Sequence, residues 1–501
     1  MESKNQGRGG VIKKPFSVYS YRPKTLIDVI ARESGCDRKV VSEKTHLFYF
    51  RGYFDYIKAS TIVVERNYID RDYLEDYSAY YVRCFKKYER ECTRLHFFKN
   101  KFSENDLRDL LKGQGGELTS AVLNRFYLGF VVIKPLPKTI VGRTCLKTYT
   151  DKPRRKYPIT RQYDANLFGI KLTVDKTLAF QEQDSVVAAC ATSALWSAFQ
   201  GTGMLFHHKI PSPVEITKNA SEYLFAEENR IFPNTRVKPE MMANAIRNVG
   251  LEPYPINVLN DSHLLTSSLY AYLRCRIPVV MGMYLFDTSI GKNEKGYQHD
   301  DSHAVAVTGY SLGKRHPIPD SETGLLLRSS RIDKIYVHDD QVGPFARMEI
   351  DGIKIDLPDN KNKDEEDGEE DGRKFFSLST SWADSEGTHD YVRSVPKLVM
   401  IPLYHKIRIP YDAIEEAIMT FDAILEMLRT RGLSPFLKRF EWDIFLSTVN
   451  DFKSELFKQK NESLNKMLTK ELPHFLWRAT AREGNKQVMD LLFDATDIEQ
   501  G

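Results

Sequence analysis

Cysteine is scarce in this 501-residue chain, and the six that occur (Cys36, Cys84, Cys92, Cys145, Cys190 and Cys275) never form a CxxC pair. That spacing excludes a dense disulfide framework and implies reduced thiols. Net charge is equally slight: +4 at neutral pH is too little, in a chain of this size, to make nucleic acid an expected partner. No apolar run approaches the roughly 20 residues that a membrane span needs, so no membrane partner is expected. The opening MESKNQGRGGVIKKPF is basic with no apolar stretch behind it, which predicts no secretory signal. No internal repeat is present. These absences predict a soluble, cytoplasmic protein.

What is present points to several globular modules, since the chain exceeds the size of one hydrophobic core. Residues 1–24 read as a flexible basic tail, and residues 25–160 as an α+β module whose role the sequence does not disclose. In that module, His46–Phe54 and Thr61–Tyr68 read as strands. Asp72–Tyr88 reads as a helix, with Tyr73, Tyr77, Tyr80 and Cys84 at helical spacing and directed into packing. Residues 94–99 and 127–137 read as further strands. Ser103 and Asp106 have the spacing of a capping box, with Gly113 near the stop. The basic stretch 143–161 reads as a linker or surface ribbon.

Residues 161–408 read as a helical half (213–227, 238–250 and 266–273) followed by antiparallel strands (278–286, 303–312, 332–340 and 397–409). This is an α+β pattern. The acidic stretch 359–374 has a composition that buries no core and is expected to be a disordered loop. Its acids lack the fixed spacing of a calcium loop. Residues 409–501 read as mostly helical. Asp412 and Glu415 suggest a capped start, an apolar stripe runs from Ile414 to Leu428, and Gly432 marks the stop. Trp442, Phe445, Val449, Phe452 and Leu456 repeat that pattern. Runs 475–479 and 487–495 read as short closing elements.

The stretch LAFQEQDSVVAACATSALWSAFQ, residues 178–200, stands out. It joins an apolar approach to a run of helical character through a polar turn. A thiol at the start of a helix sits in the positive end of the helix dipole, which favours thiolate. An amide a few residues upstream can donate to an oxyanion formed beside that sulfur. Cys190 is therefore the candidate nucleophile, and Gln183 or Gln181 the candidate oxyanion donor. Asp184 or Ser185 is the better N-cap by composition, which would place Cys190 in the second turn; starting the helix at the cysteine gives the dipole more effect. His303 opens the strand HAVAVTGY and is the candidate base. Asp339 or Asp340, ending IYVHDD, is the candidate acid that orients it.

The order Gln183, Cys190, His303, Asp339, carried by QEQDSVVAAC, HAVAVTGY and VHDD, resembles the papain-like cysteine peptidase superfamily, in its bacterial branch of double-glycine leader peptidases. The resemblance covers residues 165–405. It implies a papain-like core, with Cys190 as nucleophile, His303 as general base and acid, Asp339 as orienting carboxylate and Gln183 as oxyanion donor. It also implies a protein or peptide substrate, hydrolysis of a peptide or isopeptide bond and no cofactor. Protein partners are expected through the N-terminal or C-terminal modules. An acyltransferase or transglutaminase-like reaction and an inactive binding module are the alternatives.

Other candidates are weaker. His207 and His208 are adjacent, so their side chains diverge, and no further ligands stand at zinc spacing. His299, Asp300 and Asp301 are read as shaping the turn before His303. GRGG (7–10) and GQGG (113–116) lack the strand-to-helix setting of a phosphate loop. Trp196 is expected in the core.

Overall fold

The computed structural model describes residues 14–496, apart from 151–153, 185–188, 222–236, 289–298, 357–373, 389–391, 460–464 and positions 115, 157, 315, 382, 385, 386, 435, 437 and 485. The acidic stretch 359–374 and the GRGG segment fall essentially outside the described residues. The chain divides into two compact units: Met1–Lys147 with Gln162–Thr177, and Thr148–Arg161 with Leu178–Gly501.

In the first unit, β1 (Phe16–Ser20) leads into α1 (Pro23–Ser34), α2 (Arg38–Ser42) and α3 (Thr45–Ile57). There follow β2 (Thr61–Tyr68), α4 (Arg71–Ala79), β3 (Cys92–Phe98), α5 (Glu104–Leu111), α6 (Ser120–Arg125), β4 (Tyr127–Ile133) and β5 (Val141–Leu146). The five strands make one antiparallel sheet in chain order. Residues 16–24, expected in the tail, are thus an edge strand and the start of a helix.

His46–Phe54, expected as a strand, is helical. Its buried residues His46, Leu47, Phe50, Tyr53 and Phe54 recur every three or four positions, and the aromatic content hid that period. Burying Phe50 and Phe54 contributes about 1.5–3 kcal/mol each. The helix expected over 72–88 is shorter, beginning after Asp70, whose side chain accepts from the Tyr73 amide at 3.1 Å, and ending at Ala79. The capping box at Ser103 and Asp106 is formed. Part of the basic stretch 143–161 is not a linker, since β5 continues to Leu146. Across β2, β3 and β4 runs a buried polar chain. Arg94 Nε donates to Glu65 Oε2 at 2.7 Å, and His96 bridges Glu65 (3.0 Å) and the Tyr127 hydroxyl (2.8 Å).

The second unit begins with β6 (Arg155–Lys156), while the hairpin β7 (Arg161–Leu167) and β8 (Ile170–Thr177) mostly belongs to the first. Then come α7 (Cys190–Phe206), α8 (Pro213–Ala220), α9 (Pro239–Asn248), β9 (Glu252–Asn257) and α10 (Ser262–Arg274). A strand-rich stretch follows: β10 (Val279–Asp287), β11 (His299–Leu312), β12 (Ile332–Asp339), β13 (Gly343–Glu349), β14 (Lys354–Asp356), β15 (Lys374–Phe376) and β16 (Leu378–Ser379). It ends with β17 (Ala383–Asp384), β18 (Gly387–Thr388) and β19 (Val392–Leu403). The order β10-β11-β12-β13-β16-β19 is antiparallel throughout, and β10 also pairs with β19. The six strands therefore close into a ring, with β9 along the far half of β19. The α+β class holds for the chain.

The region 409–501 differs from its mostly helical expectation. It contains α11 (Tyr411–Thr430), β20 (Glu441–Thr448), α12 (Val449–Gln459), α13 (Asn465–Thr469), β21 (Phe475–Glu483) and β22 (Lys486–Asp494), and the strands form a three-stranded antiparallel sheet. It lies in the same compact unit as the preceding strands. Trp442 and Phe445 belong to β20 and only the later apolar positions to α12. β20 is buried at every residue, so it shows no alternation, and its apolar spacing ran on into the helix. The capped start at Asp412 is not formed: Pro410 precedes α11, Glu415 accepts from His263 at 2.7 Å, and the Tyr254 hydroxyl donates to Asp412 at 3.4 Å. Gly432, with φ of 70°, does end the helix. Among the described residues, no helix is long and apolar enough to cross a membrane.

Candidate active site

α7 begins at Cys190, after Ala189 in an extended conformation that caps nothing with its side chain. Asp184 therefore does not open the helix, and Ser185 lies outside the described residues. Ala189 offers the first-turn amides no side-chain acceptor, and the positive end of the dipole lies beside the Cys190 thiol. Behind it the helix presents Ala191, Ala194, Ala198 and Gly201, all buried, and packs against β11. Trp196 is fully buried and belongs to the core. Cys190 itself is only half-buried, and none of the six cysteines forms a disulfide.

His303 lies in β11 opposite Met283 of β10. Small and β-branched residues, Ala304 to Val307, make this a strand buried on both faces. The β11–β12 register pairs Ala306 with His338. Continued by one residue, it sets Asp339 opposite Val305, hence diagonal to His303 on the same face of the sheet. The side chains meet there. His303 Nε2 lies 3.0 Å from Asp339 Oδ1. The same oxygen accepts the Gln341 amide at 3.0 Å, and the Asp339 carbonyl accepts the Val342 amide at 3.0 Å. A turn at the end of β12 thus holds the carboxylate in place. Asp340 stands farther off, with Oδ1 at 3.7 Å from His303 Nε2.

Burial is the largest influence on the His303 pKa and acts to lower it. The charge and hydrogen bond of Asp339, the Cys190 side chain and the charge of Asp340 outweigh it and lift the imidazole well above its usual range. Cys190 thus influences the ring. The contact is not a tight one, since Nδ1 is buried with no partner at bonding distance. Asp340 behaves oppositely to an oriented carboxylate. Burial raises its pKa, His303 opposes that, and Asp339 and Glu182 raise it further.

Of the two glutamines, Gln181 is buried and Gln183 half-buried, with the Gln183 Oε1 lacking a hydrogen-bond partner. The segment leading to them is fixed from two sides. Ser197 Oγ of α7 donates to the Ala179 carbonyl at 3.2 Å. The His338 ring sits edge-on to both Phe180 (5.8 Å) and Phe345 (4.7 Å). Burial pushes the His338 pKa down to about 3, so the ring is neutral. His338 plays no part in the sequence reading. The alternating pattern of β12 places it on the face away from Asp339, and nothing in its spacing marks it as a support.

His303, Asp339 and Asp340 also offer three ligand atoms within 4.8 Å of one another. An ion there would have to take the His303 nitrogen that now bonds Asp339, so it would compete with the hydrogen bond rather than add to it. His207 and His208 do not form such a group: His207 is exposed, and His208 bonds Thr202 Oγ1 at 2.8 Å and the Lys209 carbonyl at 2.7 Å.

No known protein family and no curated protein sequence matches this chain.

Proposed function

We propose that the chain is a papain-like thiol hydrolase that cleaves a peptide or isopeptide bond of a protein or peptide substrate. The observation that carries this reading is His303, held by Asp339 through Nε2 and acted on by Cys190 at the first residue of α7. Cys190 Sγ attacks the carbonyl carbon, and the oxyanion is met by first-turn amides of α7 and the Gln183 side-chain amide. His303 delivers its proton to the leaving nitrogen as the C–N bond breaks, leaving a thioester. Water then attacks with His303 taking its proton, and the Cys190 thiolate departs. Asp339 keeps the imidazole in one orientation and supports its charged form.

The test is incubation of the full chain with a peptide mixture, read by mass spectrometry, beside a Cys190→Ala variant. Cleavage by the first and not the second supports the reading. Addition of a primary amine separates hydrolysis from acyl transfer, which would give amide-capped products. Labelling of Cys190 by iodoacetamide no faster than the other five cysteines, with no products, would mark a binding module instead.

A further inference from the structure

α7 carries Cys190 at one end, and its other end opens onto a separate cleft of the same unit. The cleft measures about 540 Å³, within the range of small-molecule sites. One wall is aromatic. Phe206, the last residue of α7, stacks on Tyr404 with ring centroids 5.4 Å apart and planes 17° apart, and Phe475 lies 6.2 Å from each. The rim is basic. His207, Lys406 and His474 line it from three separate segments, all exposed. Among the described residues lining the cleft, none is acidic.

An aromatic wall with a lysine and two histidines at its rim, and no carboxylate among the described lining residues, suits a ligand that is flat and apolar at one end and negative at the other. Aromatic rings take up a heterocyclic base by stacking whatever its hydrogen-bonding edge, and a lysine ammonium binds phosphate as a point charge. A strand of nucleic acid needs a long basic track; this is a pocket of single-nucleotide size with three bases at its mouth. We propose that the cleft at the C-terminal end of α7 binds a mononucleotide, its base against Phe206 and Tyr404 and its phosphates at Lys406, His207 and His474. The site is distinct from Cys190, and its occupancy does not depend on the chain being a peptidase.

Isothermal titration of the full chain with ATP, AMP and GMP, and separately with adenosine and inorganic triphosphate, tests this. Nucleotides should bind one to one with a Kd below about 1 mM, and either half of the molecule alone should bind at least about tenfold more weakly. Lys406→Glu, on an exposed side chain, should abolish measurable binding, and Tyr404→Ala should weaken it about tenfold or more. Circular dichroism of each variant verifies the fold, and Lys406→Glu decides the matter if Tyr404→Ala does not fold. Failure of all three nucleotides to saturate would overturn the proposal. So would binding that survives Lys406→Glu, or inorganic triphosphate binding as tightly as ATP.

Discussion

Asp339 meets His303 at Nε2, 3.0 Å away, and the other ring nitrogen, Nδ1, is buried without a hydrogen-bond partner. That division of the two nitrogens fixes what each substitution around the ring should do.

Cys190→Ala should abolish turnover and leave thermal unfolding almost unchanged, because the residue is half-buried and alanine suits a helix start in propensity. His303→Ala should abolish turnover too, but at a cost. The ring is 3% exposed, and its loss strands a buried carboxylate, destabilising the fold by about 3 kcal/mol. Calorimetry of both variants beside product assays checks the contrast; equal Tm losses would mean that Cys190 is a packing residue.

Asp339→Asn should lower kcat by roughly 10²- to 10⁴-fold, less than loss of Cys190. Asp340→Asn should keep most of the activity. Because Asp340 helps hold the His303 pKa up, its neutralisation should move the alkaline limb of the kcat/KM profile toward lower pH. No movement of that limb would remove Asp340 from the electrostatics of the ring.

Gln183→Ala should reduce kcat by about 10²-fold or more with little change in KM, the signature of a donor that acts on a developing oxyanion. Gln181→Ala should instead show itself in stability, since that side chain is buried. The opposite pattern would exchange their roles.

Stability should fall on both sides of neutrality. A histidine whose pKa is raised on folding, as His303 is, adds stability that is complete below its unfolded pKa and disappears as pH rises through the folded one. His338 and His96 work the other way. Burial pushes them down to about 3 and about 4, so their contribution is complete above the unfolded value and lost as pH falls. Between about pH 6.5 and 4 each should cost on the order of 3 kcal/mol. Denaturant melts across pH check the sign, and His338→Phe should flatten the acid side.

Chelators should leave turnover intact, since His303 Nε2 is engaged by Asp339. Zinc ions, which compete for that nitrogen and for the thiol, should inhibit, and EDTA should restore activity. Loss of activity with EDTA alone would show that the His303, Asp339 and Asp340 group works with a bound ion.

Much of this was legible where local chemistry decides structure. Ser103 and Asp106 announce a capped helix, Val305 and Val307 a buried strand, and the small residues after Cys190 a helix packed close to its neighbour. Where packing decides, the sequence was silent or misleading. His46–Phe54 has the composition of a strand and the period of a helix, and the period governs. Trp442 and Leu456 fall on one helical stripe only because a strand with no exposed face runs into a helix. The diagonal meeting of His303 with Asp339 needs the β11–β12 register, and no local pattern encodes that. The aromatic wall at Phe206, Tyr404 and Phe475 joins three distant segments, so spacing could not have revealed it.

The closed path of six strands bears on how the histidine and its carboxylate survive thermal fluctuation. Ala306 and Val307 of β11 are hydrogen-bonded to neighbours on both sides, and a closed path has no terminal strand from which fraying can start. Amide deuteration at these positions should therefore be slow and should require opening of the entire unit. The geometry around the ring is then as durable as the unit that contains it.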